Sequence, residues 1–154
     1  MSKVIYVRLI ACLMVGMTMT VPQTHATEVM IVERGTEGLA AVPFRVRNET
    51  GRPLVCAAAM AHWYSADVGT IPPGGSFEAR LWSKPASGEV FLLNAGEDRM
   101  PIQTLWCGYQ GADVSTRSLV ALHRRAGVVE PAVDLTCRQE AGGASLDCRR
   151  GGTE

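Results

Sequence analysis

Four cysteines that follow a segment with the pattern of a cleaved export signal constrain the fold of this chain most strongly. Lys3 and Arg8 charge the start of the chain, residues 9–19 are almost all apolar, and residues 24–26 (THA) resemble a small-x-small cleavage site. We therefore expect residues 1–26 to be a cleaved signal peptide. Residues 27–154 are then expected to form a single exported domain, periplasmic or secreted.

Two alternatives for the first residues are a retained membrane anchor and a lipidated cysteine. The apolar run is shorter than the roughly 20 residues that a membrane-spanning helix needs. Residues 9–12 (LIAC) fit a lipoprotein processing site, with Cys12 as the modified residue. The apolar segment follows Cys12 instead of preceding it, so we favour cleavage after residue 26.

The composition of the remaining chain argues against two kinds of partner. All fifteen acidic residues, but only thirteen of the fifteen Lys and Arg residues, lie after residue 26. The expected mature domain is therefore weakly acidic and has no basic field for nucleic acid or an anionic membrane. No second apolar run approaches membrane-spanning length, so no membrane span is expected after signal cleavage.

The cysteines at positions 56, 107, 137 and 148 predict two disulfides, because an even number in an exported chain is typical of a disulfide framework. Three pairings are possible, and we favour Cys56–Cys107 with Cys137–Cys148. The second pair closes a short loop in which Gly142 and Gly143 favour a turn. A shared zinc site is the alternative, but the chain has no C-x2-C pair and the spacings are wide.

Short segments of alternating polarity predict an all-β fold. Val42, Phe44 and Val46 alternate with arginines, as in a half-buried strand. Further strands are predicted at residues 54–63, 77–82, 90–94, 102–109, 113–122, 132–138 and 144–149. Turn signals every eight to twelve residues favour a small antiparallel sandwich or barrel of about seven or eight strands, stapled by disulfides.

Two of these segments have a second interpretation. Residues 54–63 contain three consecutive alanines that also favour a helix, but close flanking turns favour a strand. Residues 48–53 predict a turn, and Asn48, Glu49 and Thr50 also match a glycosylation sequon, for which we prefer the turn interpretation. The tryptophan spacing of immunoglobulin domains is absent, since Trp63 follows Cys56 too closely.

Catalytic signatures are weak, so we predict no catalytic residues and no cofactor. The expected mature chain has two histidines, His62 and His123. Ser65 and Asp67 lie near His62 in sequence, but a G-x-S-x-G elbow is absent. Phosphate-binding glycine motifs are also absent. A small hydrolase without a recognisable motif remains an alternative.

Met60 and His62 form the sharpest metal candidate. On a strand they point the same way, and a thioether with an imidazole suits copper. A periplasmic copper-binding protein is therefore a second alternative. The competing interpretation is that Met60 fills the core and His62 bonds at a strand end.

A binding surface is predicted where aromatic residues open a long loop. His62, Trp63 and Tyr64 precede residues 64–75, in which Asp67 lies and which Pro72 and Pro73 close. Loops held by a rigid scaffold commonly carry function. We expect His62, Trp63, Tyr64 and Asp67 to border the functional face of a non-enzymatic domain that recognises a protein or a cell-envelope component. Trp106, next to Cys107, is expected in the core.

Overall fold

The computed structural model describes residues 32–60, 64–111 and 114–151, and these residues form an all-β fold with two disulfides. The predicted signal segment lies outside these ranges, so its cleavage stays a prediction. A single turn of 3-10 helix spans Val114–Thr116. The nine strands are β1 (Ala40–Asn48), β2 (Leu54–Met60), β3 (Ser65–Ile71), β4 (Ser76–Lys84), β5 (Glu89–Leu93), β6 (Arg99–Tyr109), β7 (Ser118–Val120), β8 (Val133–Gln139) and β9 (Leu146–Arg150).

The strands are hydrogen-bonded in the order β3-β2-β6-β5-β4-β1-β8-β9, and β7 pairs with β6. Strand β6 belongs to two sheets because its first residues pair with β5 and its remainder pairs with β2 and β7. We call β9, β8, β1, β4, β5 and the start of β6 the six-stranded sheet. Strands β3, β2, the rest of β6 and β7 make the four-stranded sheet. The two sheets pack together where β3 meets β4 and β7 meets β9, which gives a sandwich.

One strand pair differs from the antiparallel pattern. Strands β1 and β8 run parallel, with Phe44 opposite Val133 and Val46 opposite Leu135. A parallel pair needs a long connection. Residues 49–132 connect the end of β1 to the start of β8, and their last segment, 121–132, leads directly into β8. The other named pairs are antiparallel, as the sequence predicts.

Alternating side chains fill the space between the sheets. Val42, Phe44 and Val46 of β1 are at most 1% exposed, whereas Arg45 and Arg47 between them are exposed. In β2 the side chains of Leu54, Cys56, Ala58 and Met60 are also buried. The strand interpretation of this segment is therefore confirmed over residues 54–60, since a helix would not bury every second residue.

Each disulfide joins directly opposite residues of neighbouring strands. Cys56 faces Cys107 across β2 and β6, and Cys137 faces Cys148 across β8 and β9. The predicted pairing is confirmed. One bond thus lies in each sheet, so each sheet is cross-linked internally.

The predicted loop at residues 64–75 is wrong over most of its length. Residues Ser65–Ile71 form β3, and the turn is confined to residues 72–75, where the N–H of Gly75 donates to Pro72 O (3.0 Å). Asp67 and Gly69 are poor strand formers. Pairing with β2 outweighs that preference, and a bulge places Val68 outside the regular register.

The predicted strand at 113–122 is shorter than expected. Only Ser118–Val120 is strand, and the 3-10 turn precedes it. Asp113 lies outside the described residues. Apart from these changes, the predicted segments and the strands agree to within a few residues.

Candidate functional site

Two of the predicted binding residues, Tyr64 and Asp67, lie at and beside the connection between β2 and β3. Tyr64 is 59% exposed, and its carbonyl accepts a hydrogen bond from the N–H of Met60 (2.7 Å), which closes the hairpin. Asp67 lies on β3 and is exposed. His62 and Trp63 lie outside the described residues. The structure therefore brings Tyr64 and Asp67 to one end and one edge of the four-stranded sheet.

Asp67 belongs to a row of residues that crosses the outer face of this sheet, the face turned away from the core. Ala57 lies opposite both Asp67 and Trp106, and Trp106 lies opposite Leu119. We call these four residues the outer row. Leu119 is 70% exposed, the largest value among the exposed apolar side chains of the described chain. Asp67 makes no hydrogen bond or ion pair with the described residues.

Trp106 corrects an expectation from the sequence. Its neighbour Cys107 points into the core, so strand alternation turns Trp106 outward. The guanidinium of Arg117 lies 3.7 Å from the centre of the Trp106 ring, a cation–π contact. Gly108 leaves room for this arrangement, because a Cβ there would lie 3.3 Å from Cγ of Arg117.

Small and hydroxyl-bearing residues surround the outer row on both sides. Thr70, Val55 and Gly108 form the row nearer the turn, while Ser65, Ala59 and Thr104 form the row nearer the β2–β3 connection. The face is therefore a shallow platform with an apolar centre and polar margins. Trp106, Arg117 and Leu119 were not predicted as site residues from the sequence. The alternation of residues 102–109 carried the signal for Trp106, which points away from the buried Leu105 and Cys107.

The opposite surface, on β1, β4 and β8, contains a groove of about 420 Å³ lined largely by charged and hydroxyl side chains. Arg45 contacts Asp134 (3.1 Å) and Glu78 (3.5 Å), and both acids, Asp134 first, raise the pKa of Arg45. Farther along β8, the hydrogen bond from Arg138 holds the pKa of Glu49 below its ordinary value. These cations already have carboxylate partners, so the groove offers little free charge to a ligand.

Glu130 is a buried carboxylate that holds residues 121–132 in place. Its oxygens accept the N–H groups of His123 (3.0 Å) and Arg124 (2.9 Å) and a guanidinium nitrogen of Arg150 (3.1 Å). Burial opposes ionisation, but these donors outweigh it and hold the pKa of Glu130 below its ordinary value. The carboxylate is fully engaged, so its role is structural.

Of the two residues proposed for copper, the structure describes Met60. Met60 is 3% exposed and faces the core with Ala58, whereas His62 lies outside the described residues. Within the described ranges, the cluster of metal-type side chains close enough to share an ion is Cys107, Cys137 and Cys148. All three sulfurs are in disulfides, so the oxidised protein cannot use them as thiolates.

Comparisons with known proteins give no relative from which an activity could be inferred: no family model, curated protein or solved structure matches this chain. Among the described residues, no helix has the length and apolarity needed to cross a membrane.

Proposed function

We propose that this chain is an exported, non-enzymatic binding domain that recognises a protein or a cell-envelope component through the outer face of its four-stranded sheet. One observation carries the proposal: an exposed leucine, a tryptophan and a carboxylate with no partner among the described residues share the outer row. Leu119, Trp106 and Asp67 supply these groups, and Tyr64 adds an exposed ring beyond the same sheet.

The chemistry of this row suits recognition. Burying an exposed leucine side chain contributes about 1.5–3 kcal/mol, and tryptophan and tyrosine are enriched among residues that dominate binding energy. Asp67 can add a charge contact to a cation on the partner. Because these groups lie on paired strands, little backbone entropy is lost on binding. His62 and Trp63, which follow β2 in sequence, are proposed to extend the face.

Export rests on separate support. Two disulfides are typical of proteins that fold in an oxidising compartment such as the periplasm or the extracellular medium. The order of charge, apolar run and small residues in 1–26 agrees with that location. Sequencing the N-terminus of the protein from native cells should find Thr27 first.

Site-specific cross-linking tests the face directly. A photoreactive residue at position 119 should cross-link to a discrete envelope component in intact cells, and the same residue at position 128 should not. Val128 is the matched control, because it is 55% exposed but lies in the loop that Glu130 holds. Leu119→Ser and Asp67→Asn should each weaken binding at least tenfold and leave unfolding unchanged.

Two outcomes would refute the proposed face. One is equal cross-linking from positions 119 and 128. The other is a loss of binding in Tyr64→Ala or Leu119→Ser that is matched by a loss of folded protein. Binding of the wild type and the variants is measured with purified peptidoglycan and with outer-membrane vesicles, as two defined components of the cell envelope.

The copper and hydrolase alternatives predict different effects of substitutions in the same region. Copper binding through Met60 and His62 requires the buried thioether of Met60 to become accessible, and His62→Ala should then abolish Cu(I) retention in a competition assay. A hydrolase would show turnover on a broad substrate panel that Ser65→Ala removes. Partner binding that survives His62→Ala and Ser65→Ala would favour the binding domain.

A further inference from the structure

The two disulfides meet inside the sandwich. The sulfur atoms of Cys107, Cys137 and Cys148 all lie within 4.8 Å of one another, although these residues come from both sheets. Cys56 is outside this group of three, but its sulfur is bonded to that of Cys107 and therefore lies directly beside it. The cysteines are widely spaced in the sequence, which argued against a shared metal site. The pairing of β2 with β6 and of β8 with β9 nevertheless brings them close together in space.

We propose that the reduced chain binds one Zn²⁺ ion through the thiolates of Cys56, Cys107, Cys137 and Cys148. Four thiolates are a common ligand set for structural zinc, with Zn–S distances of about 2.3 Å, which puts neighbouring sulfurs about 3.8 Å apart in a tetrahedron. The upper limit of 4.8 Å observed for Cys107, Cys137 and Cys148 is close to that spacing, and Cys56 is the ligand that must move most. Small side-chain rotations, without new strand pairing, bring the sulfurs around one ion.

The sulfur ligands make this site selective for Zn²⁺ over hard cations, and burial excludes water from it. Cys56, Cys107 and Cys137 are 0% exposed, and Cys148 is partly exposed and gives the ion and a reductant their way in. Hard cations such as Mg²⁺ favour oxygen ligands and retain water. The surroundings therefore favour Zn²⁺ over the more abundant hard ions.

Ser118 lies beside two of the proposed ligands. It lies opposite Cys107 in the β6–β7 register, and its Oγ accepts the N–H of Cys148 (2.9 Å). The hydroxyl proton of Ser118 goes to no acceptor among the described residues. After reduction, rotation of this hydroxyl would let it donate to a nearby thiolate, as hydrogen-bond donors around metal ligands do.

The disulfide and zinc forms exclude each other, and their exchange balances. Two external dithiol molecules reduce the two disulfides by thiol–disulfide exchange, which yields four protein thiols and two oxidised dithiols. Zn²⁺ then replaces four thiol protons, which pass to solvent. Oxidation reverses the sequence and releases the ion.

Cobalt(II) is the probe, because tetrahedral thiolate coordination gives it intense visible bands. The test uses the full chain with Cys12→Ser, so that Cys12 adds no fifth thiol, treated with a dithiol reductant. The reduced protein should bind one equivalent of Co²⁺ with thiolate charge-transfer bands, and Zn²⁺ should displace it. The oxidised protein, as the control, should bind none.

Variants distinguish a four-cysteine site in the folded protein from metal binding by unstructured thiols. Cys56→Ser should weaken binding at least tenfold and reduce the charge-transfer intensity. Ser118→Ala should weaken it less and keep the tetrahedral bands. If the reduced apo chain loses its sheet signal in circular dichroism, adding Zn²⁺ should restore it. Equal binding in concentrated urea, no binding by the reduced protein, or bands unaffected by Cys56→Ser would each overturn the proposal. None of these outcomes bears on the outer face.

Discussion

Asn48 and Thr50 are locked together inside the turn between β1 and β2: the Oδ1 atom of Asn48 accepts hydrogen bonds from the Thr50 N–H (2.9 Å) and the Thr50 hydroxyl (2.8 Å). The Nδ2 atom of Asn48 donates to the carbonyls of Arg52, Ile71 and Pro72. Asn48 is 0% exposed. The motif that resembles a glycosylation sequon thus holds the turn together through hydrogen bonds, and the Asn48 amide nitrogen is inaccessible in the folded domain.

Asn48→Ala should lower the free energy of unfolding by about 3 kcal/mol, because it leaves buried carbonyls without a donor. Urea unfolding measures the change. Asn94→Ala is the matched control: Asn94 also bonds backbone N–H groups in a turn, but it is exposed, and its removal should cost about 1 kcal/mol or less. Equal losses would mean that burial of the Asn48 lock contributes nothing.

Gly69→Ala should destabilise the fold through a clash with Phe77. A Cβ atom at Gly69 would overlap the Phe77 ring, which lies across β3 and packs against the core. Overpacking of this kind costs about 1–3 kcal/mol. Gly51→Ala, where a Cβ meets nothing within 4 Å, should change stability by less than about 0.5 kcal/mol.

A second substitution checks the cause. Adding Phe77→Leu to Gly69→Ala should recover part of the loss, which thermal or urea unfolding of the four variants would show as a favourable coupling. Strictly additive losses would locate the damage in the β3 backbone instead.

Local patterns predicted the parts of this fold that depend on local physics. The alternation of Phe44 and Val46 with Arg45 is sufficient to identify β1 and its buried face. Gly142 and Gly143 favour a turn that brings Cys137 and Cys148 together, since closing a short loop costs little conformational entropy. Both inferences use residues within a dozen positions of each other.

The features that were not predicted from the sequence depend on pairing between distant segments. Asp67 and Gly69 are residue types that favour turns. They nevertheless lie in a strand, because β2 provides hydrogen-bond partners for this segment of backbone. The parallel β1–β8 pair and the row that joins Asp67 to Trp106 and Leu119 depend on registers between distant segments. Single-chain patterns do not encode those registers, so the candidate face was predicted at Tyr64 and Asp67 and missed at its centre.

Glu130 should make the folded state sensitive to acid. Burial opposes ionisation, but the N–H groups of Arg124 and His123 and the guanidinium of Arg150 outweigh it, and its pKa in the folded state is below the ordinary value of 4.5. Its stabilising effect is therefore fully present above 4.5 and is lost as the pH falls through the lower, folded-state pKa.

Glu130→Gln separates this effect from those of other acids. At neutral pH the variant should be less stable by about 2 kcal/mol, because the neutral amide loses charge-assisted bonds. The difference should shrink on acidification, as the wild-type carboxylate takes up its proton. Urea unfolding across the acid range measures it, with Glu89→Gln, an exposed acid bonded by the Ser87 hydroxyl, as the control. A difference that stays constant with pH would contradict this role.

The two disulfides should contribute unequally to stability. Cys56–Cys107 closes 51 residues and Cys137–Cys148 closes 11. Loop-closure entropy in the unfolded chain then gives about 4 and about 3 kcal/mol, respectively. Replacing Cys56 and Cys107 by alanine should therefore lower the free energy of unfolding by about 1 kcal/mol more than replacing Cys137 and Cys148.

The location of each bond adds a second difference. Cys56–Cys107 joins β2 to β6, the strand shared by both sheets, whereas Cys137–Cys148 attaches the end strand β9. Hydrogen exchange should thus show protection lost across both sheets in the first double variant and mainly in β8 and β9 in the second. Global loss of protection in the second variant would mean that the contacts of β9 with β7 make it integral to the cooperative core.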